Sequence, residues 1–289
     1  HSTQGKSAMG KFARSWALAK ASLSVLRSDK ELLVFPLLSV LAVVLVAATF
    51  LLPLFGFGML EQADRGDGVP PGLYILGFAF YLVQYFVVFF FTTALVGAAM
   101  VRLDGGDPTV GTGLRIAAGK WVSILGYAAI AATVGMILRG IEQRAGIVGR
   151  IVAGFVGVAW TLATFLAVPV LVAQDVGPVE AVKESAALLK RTWGEGLIGN
   201  GGIGLIGGLA AVAVMLVGLA LTGFLAQAGL GAAAIGVIAL SVLAVVGIGL
   251  VQSALGGIYS AALYRYAVAG DAPAGFDGVL LRDAFQRKA

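Results

Sequence analysis

The chain has 289 residues, of which 59% are hydrophobic and 12% charged, with a mean hydropathy of +0.97. That charge content is about half the level of an average soluble domain, which excludes a water-soluble globular protein and indicates an integral membrane one. The net charge of +5 and pI near 9.6 raise nucleic acid as a partner, but the cations sit beside apolar spans, where anionic lipid headgroups are the nearer ligand. No nucleic acid is expected, and with no cysteine in the chain disulfide frameworks and thiolate metal sites are excluded.

The first seven residues, His1 to Ser7, read as a tag remnant or a disordered tip rather than a signal peptide. From about residue 10 to 28 the pattern predicts a helix lying in the membrane interface. Phe12, Trp16, Ala19, Leu23 and Leu26 recur at helical spacing on one face, and Lys20, Ser24 and Arg27 lie on another.

A bilayer core about 30 Å thick requires roughly 20 apolar residues in a helix. The uncharged runs Leu32 to Leu60, Gly68 to Val101, Trp121 to Leu138 and Ile151 to Gln174 each hold one span. The run from Gly196 to Tyr264 is long enough for two, with its turn at Gln227 to Gly231. That makes six spans and puts both termini on one side. Sixteen of the twenty Lys and Arg residues fall on that side, which the positive-inside rule makes cytoplasmic. The opposite side keeps Arg65 in an acidic loop and Arg139, Arg144 and Arg150, read as one short loop.

Amphipathic stretches recur near residues 108 to 119 and 178 to 193. Val110, Leu114, Ala117 and Trp121 share a face in one, and Val179, Val182, Ala186, Leu189 and Trp193 in the other. Each follows an even-numbered span that closes on Asp104, Asp175 or Asp271 and then meets Pro108, Pro178 or Pro273. The stretch from Pro169 to Asn200 holds the whole device and reads as a hinge between two hairpins. The expected fold is therefore an all-α polytopic membrane protein, one integral domain over 1–289, with six transmembrane helices in three hairpin repeats at about 10–107, 108–177 and 178–275. Each repeat begins with an amphipathic interfacial helix, and an amphipathic tail follows at 276–289. Because each unit holds two spans, the copies share one orientation, so an axis along the membrane normal is expected to relate them. The small residues of the odd spans are expected nearest that axis, and the Phe-rich second span, Phe89 included, toward lipid.

Phe165-Leu-Ala-Val-Pro-Val-Leu-Val172, Gly177-Pro-Val-Glu-Ala-Val-Lys-Glu-Ser185 and Leu188-Leu-Lys-Arg-Thr-Trp-Gly-Glu195, with the Asp29 to Ser39 segment, carry a resemblance. The chain resembles a family of uncharacterised six-span prokaryotic integral membrane proteins. It is also similar in plan to the membrane domain of some glycerophosphodiester phosphodiesterases, whose soluble catalytic domain has no counterpart here. The resemblance implies a topology and no activity.

Motifs that suggest chemistry have structural explanations. Gly202-Ile-Gly204-Leu-Ile-Gly207 matches a dinucleotide fingerprint in letters but lies inside an apolar span, and the motif works only between a strand and a solvent-facing helix. Gly204 and Gly208 instead read as a small-xxx-small packing pair. His1 is the sole histidine, which removes a His-based triad or zinc site. Asp104 and Asp107 flank Gly105-Gly106 before a helix start, where Asp serves as a cap. No acidic or basic residue falls within the predicted spans, and buried charge is the usual mark of ion-coupled transport. The polar residues that could line a path are Asn200, Gln84, Gln252 and Thr92, and the interfacial anchors are Trp16, Trp121 and Trp193. No catalytic, cofactor-binding or metal residue is expected. The sequence therefore points to a non-enzymatic scaffold or accessory, membrane-organising subunit of a bacterial plasma (inner) membrane. Its expected partners are anionic lipid headgroups and another membrane protein or a second copy. The alternative is a passive channel or carrier for an uncharged or lipidic substrate.

Overall fold

The structure, a computed structural model, describes residues 11–56, 71–144, 146–192 and 201–270. Among the described residues it is helical throughout, with turns but no strands. The helices are α1 (Lys11–Ser28), α2 (Val34–Gly56), α3 (Pro71–Leu103), α4 (Val110–Gly119), α5 (Trp121–Arg144), α6 (Gly146–Ala163), α7 (Ala167–Ala173), α8 (Pro178–Thr192), α9 (Gly201–Gln227) and α10 (Gly231–Ala269), with a 3-10 turn at Lys30–Leu33. Six helical segments are long and apolar enough to cross a membrane, which makes this a multi-pass membrane protein. The predicted acidic loop from Glu61 up to Pro71, Trp193, Asn200, Asp271, Pro273 and the predicted tail at 276–289 lie outside the described residues, apart from Pro71 itself.

The chain divides into two compact units. In the unit Val34–Arg191, the central helix is α3, which packs against α2, α4, α5 and α7. Within this unit the helix with the most neighbours is thus an even span. Thr93 to Met100 on α3 is buried without a break, because the small residues Thr93, Ala94, Gly97, Ala98 and Ala99 let α2, α4 and α5 approach. Its aromatic half is not simply a lipid face either. The Phe89 ring lies 4.4 Å from that of Tyr127 on α5, and Phe50 packs on Phe80 at 5.5 Å.

Local chemistry explains where α3 stops and α4 starts. Gly105 adopts a left-handed φ of +84°, so its N–H reaches Arg102 O while the Gly106 N–H reaches Val101 O, both at 3.0 Å. This glycine closure satisfies carbonyls that a helix end leaves open. The α4 N-cap is Thr109, whose hydroxyl accepts from the Thr112 N–H at 3.1 Å. Asp107 is therefore not the cap that the sequence suggested. It accepts from Arg102 at 3.2 Å and is almost wholly exposed.

The fourth span is broken. A helix continued through Thr164 to Leu166 would bring the ring of Pro169 against the Phe165 carbonyl and lose that hydrogen bond. The chain instead turns there and restarts as α7, which places Pro169 in a first turn, where N–H groups have no intrahelical partner anyway. The tip of the second hairpin also departs from expectation. Arg139 and Arg144 lie on α5 and Arg150 on α6, with residue 145 alone between the two helices. Charged residues thus occur on the spanning helices, but toward their ends. Arg139 donates to the Tyr81 hydroxyl and stands 4.8 Å from the centre of that ring, so a cation–π contact accompanies the hydrogen bond.

In the other unit α1 and the 3-10 turn pack on the hairpin formed by α9 and α10. That hairpin turns where the sequence placed it. Gly229 has φ +75°, and the Leu230 N–H reaches back to Leu225 O at 2.9 Å. Most of the large side chains of α9 and of the first half of α10 are exposed, as lipid-facing helices require. Gly257 to Tyr264 on α10 is buried. In both units an amphipathic helix is tied to the last part of an even span: α4 packs on α3, α8 is bonded to the start of α7, and α1 packs on α10.

Candidate functional site

Three of the four polar residues expected on a path lie among the described residues, and each donates to a backbone carbonyl. Gln84 on α3 donates through Nε2 to Val43 O of α2 at 3.2 Å. Thr92 bonds back to Val88 O of its own helix at 2.7 Å. Gln252 on α10 donates to Gly204 O of α9 at 3.1 Å. Two of the three are thus bonds between the helices of a hairpin, the use that lipid surroundings favour for a lone amide. Asn200 lies outside the described residues.

Glycines set how closely these helices approach. A Cβ on Gly207 would collide with the Gln252 amide, whereas one on Gly204 would stand 3.7 Å from it and one on Gly208 would meet open space. Gly207 therefore packs against Gln252 and Gly218, further along α9, against Ser241, whereas Gly208 joins neither contact. On α5, a Cβ at Gly126 would come within 2.7 Å of the Pro178 ring, so Gly126 makes room for the start of α8.

Of the three tryptophans expected as interfacial anchors, Trp121 opens α5 and is exposed. Trp16 falls on α1, and Trp193 follows α8 outside the described residues. Beside Trp121, Lys120 Nζ donates to Gln174 O at 2.9 Å and to Asp175 at 3.2 Å. This fastens the loop between α7 and α8 to the start of α5.

A groove of about 920 Å³ lies between α1 and the α9–α10 hairpin. On α1, Lys20, Ser24 and Arg27 line it with Ala19 and Leu23; the hairpin contributes Gly207, Gly247, Ile248, Val251, Gln252 and Leu255. Lys20, Ser24 and Arg27 recur at spacings of four and three, which places them on one strip of the helix. The walls are aliphatic and the charges in the lining are both positive, with no carboxylate among the described residues that form it. The arrangement can hold an amphiphile with an anionic end. Sequence reading identified the polar strip of α1 but not its partner helix, because nothing in the pattern of Gly247 to Leu255 names the helix that packs on it.

No curated protein matches the chain. A family model described as a family of unknown function, DUF6159, matches residues 72–276. That range takes in α3 through α10, five of the six spans and the hairpin wall of the groove. With most of its length matched by this model, the chain belongs to the family of unknown function DUF6159.

Proposed function

We propose that the protein performs no covalent chemistry and serves as a scaffold or accessory, membrane-organising subunit of a bacterial plasma membrane, with both termini cytoplasmic. The observation that carries this reading is the use of Gln84 and Gln252 as interhelical ties. A transport path needs polar groups that face a lumen and exchange partners with solute, whereas each of these amides donates to a backbone carbonyl of the neighbouring helix. The non-enzymatic part rests on composition, with one histidine at the first position and no cysteine. The orientation rests on the cation count of sixteen against four. The exposed apolar faces of α9 and α10 suit lipid, a partner membrane protein or a second copy.

The alternative, a carrier for a lipidic substrate, draws support from the groove beside α1. Purified protein in sealed vesicles separates the two readings. A scaffold leaves glycerol permeation and the flipping of fluorescent phospholipid at the level of protein-free vesicles. Either flux rising in proportion to protein would replace the scaffold with a channel or carrier.

A further inference from the structure

We propose that the groove between α1 and the α9–α10 hairpin is a binding site for one anionic phospholipid. Its phosphate would lie against Lys20 and Arg27, and its acyl chain against Ile248, Val251 and Leu255. Three independent observations meet here. The first is charge: the polar strip of α1 brings the two cations Lys20 and Arg27 to a groove whose lining holds no carboxylate among the described residues, while the Ser24 hydroxyl between them donates to Ala21 O at 2.7 Å. Lys and Arg near a membrane surface attract anionic headgroups, and a guanidinium can grip two phosphate oxygens at once.

The second is depth. Gly207 stands about 21 residues from the hairpin turn at Ala228 to Leu230, or roughly 32 Å at the helical rise of 1.5 Å per residue. Along α10, Ile248 lies 18 residues past Leu230, or roughly 27 Å, and Leu255 lies 25 residues past it, or roughly 38 Å. With the hairpin tip at one interface, a hydrocarbon core of about 30 Å puts the groove at the headgroup level of the other. The third is shape. Gly247 leaves open space where a side chain would begin, so an acyl chain could lie along α10 beside Ile248 and Val251. The site deepens the proposed lipid-organising role and rests on it, yet the two fail separately: flux would overturn the scaffold and leave the site, and the outcomes below concern the site alone.

The test uses the full chain in nanodiscs of equimolar phosphatidylglycerol and phosphatidylcholine, extracted mildly, with retained lipid identified by native mass spectrometry. The wild type is expected to keep phosphatidylglycerol over phosphatidylcholine by about thirtyfold, from about fivefold for each cation near a charged surface. K20Q/R27Q should lose that preference. K183Q/K190Q, which removes two exposed cations of α8, should keep it. G247L, which fills the groove and replaces a glycine within a helix by a better helix former, should retain neither lipid while melting no lower than wild type. Inorganic phosphate in large excess should not displace the lipid, since a free anion lacks the chain that the aliphatic wall holds. Preference surviving K20Q/R27Q, equal loss in K183Q/K190Q, retention by G247L, or displacement by phosphate would each overturn the site.

Discussion

The backbone N–H of Leu166 donates to the hydroxyl of Ser185 at 3.0 Å, and both residues are fully buried. Leu166 is the residue at which the fourth span restarts, so its N–H has left one helix without entering the next. Ser185 lies on the buried strip of α8 with Ala181 and Leu188. The bond therefore couples the Pro169 break to the position of the amphipathic helix that follows.

Ser185→Ala should strand that N–H in a dry site and lower stability by about 1–3 kcal/mol, the cost of an unsatisfied buried donor. Lys183→Ala, on the exposed face of the same helix, should change it little. Melting of the two variants in detergent checks the pair, and equal melting temperatures would separate Ser185 from the restart.

At Gly113 on α4 an added Cβ would stand 2.5 Å from Phe35 Cζ and 2.6 Å from Ala94 O. A ring could turn aside, but a helix carbonyl cannot, so Gly113→Ala should cost about 1–3 kcal/mol through overpacking. Gly119→Ala on the same helix meets open space, and its effect should be small. Thermal unfolding of both, scored by the near-ultraviolet signal, provides the comparison.

Phe89→Leu should destabilise by about 0.5–1.5 kcal/mol, the usual value of an aromatic pair beyond its buried area, because the ring pairs with Tyr127. Tyr127→Leu in the same background should then add less than it does alone. A double-mutant cycle measures the coupling, and strict additivity would place Phe89 against lipid.

Cysteines introduced singly at Gly66 and Gly105 should label from opposite faces of sealed vesicles, since the chain has no native cysteine to confuse the signal. Same-side labelling would break the hairpin topology drawn from the cation count.

Features with a local cause were legible in the sequence. Span number follows from apolar length, the hairpin turn at Gly229 from a glycine where φ must be positive, and the starts of α4 and α8 from Pro108 and Pro178. Features that depend on a neighbour were not. Asp107 and Thr109 are both good caps in isolation, and only the pairing of Asp107 with Arg102 leaves the cap to Thr109. Apolar surface has no preferred neighbour in lipid, so composition could not show that small residues would make α3, an even span, the centre of its unit. The buried strip of α8 runs through Ala181, Ser185, Leu188 and the predicted Leu189, while the predicted Val182 and Ala186 are only half-buried, and Ser185 is drawn inward by the Leu166 N–H. The groove on α1 was half visible: Lys20, Ser24 and Arg27 share a strip by spacing, but the helix facing them is more than two hundred residues away in the chain.

The claim that the amides of Gln84 and Gln252 serve to hold helices together, and serve no transport, is tested most directly by Gln252→Leu, read for stability and flux on the same preparation. Loss of the bond to Gly204 O should lower stability by about 0.6–2 kcal/mol, the range for polar ties between membrane helices. Glycerol and phospholipid movement should stay at the protein-free level before and after the change. Unchanged melting together with a flux that the wild type supports and the variant loses would contradict the account and make Gln252 part of a transport path.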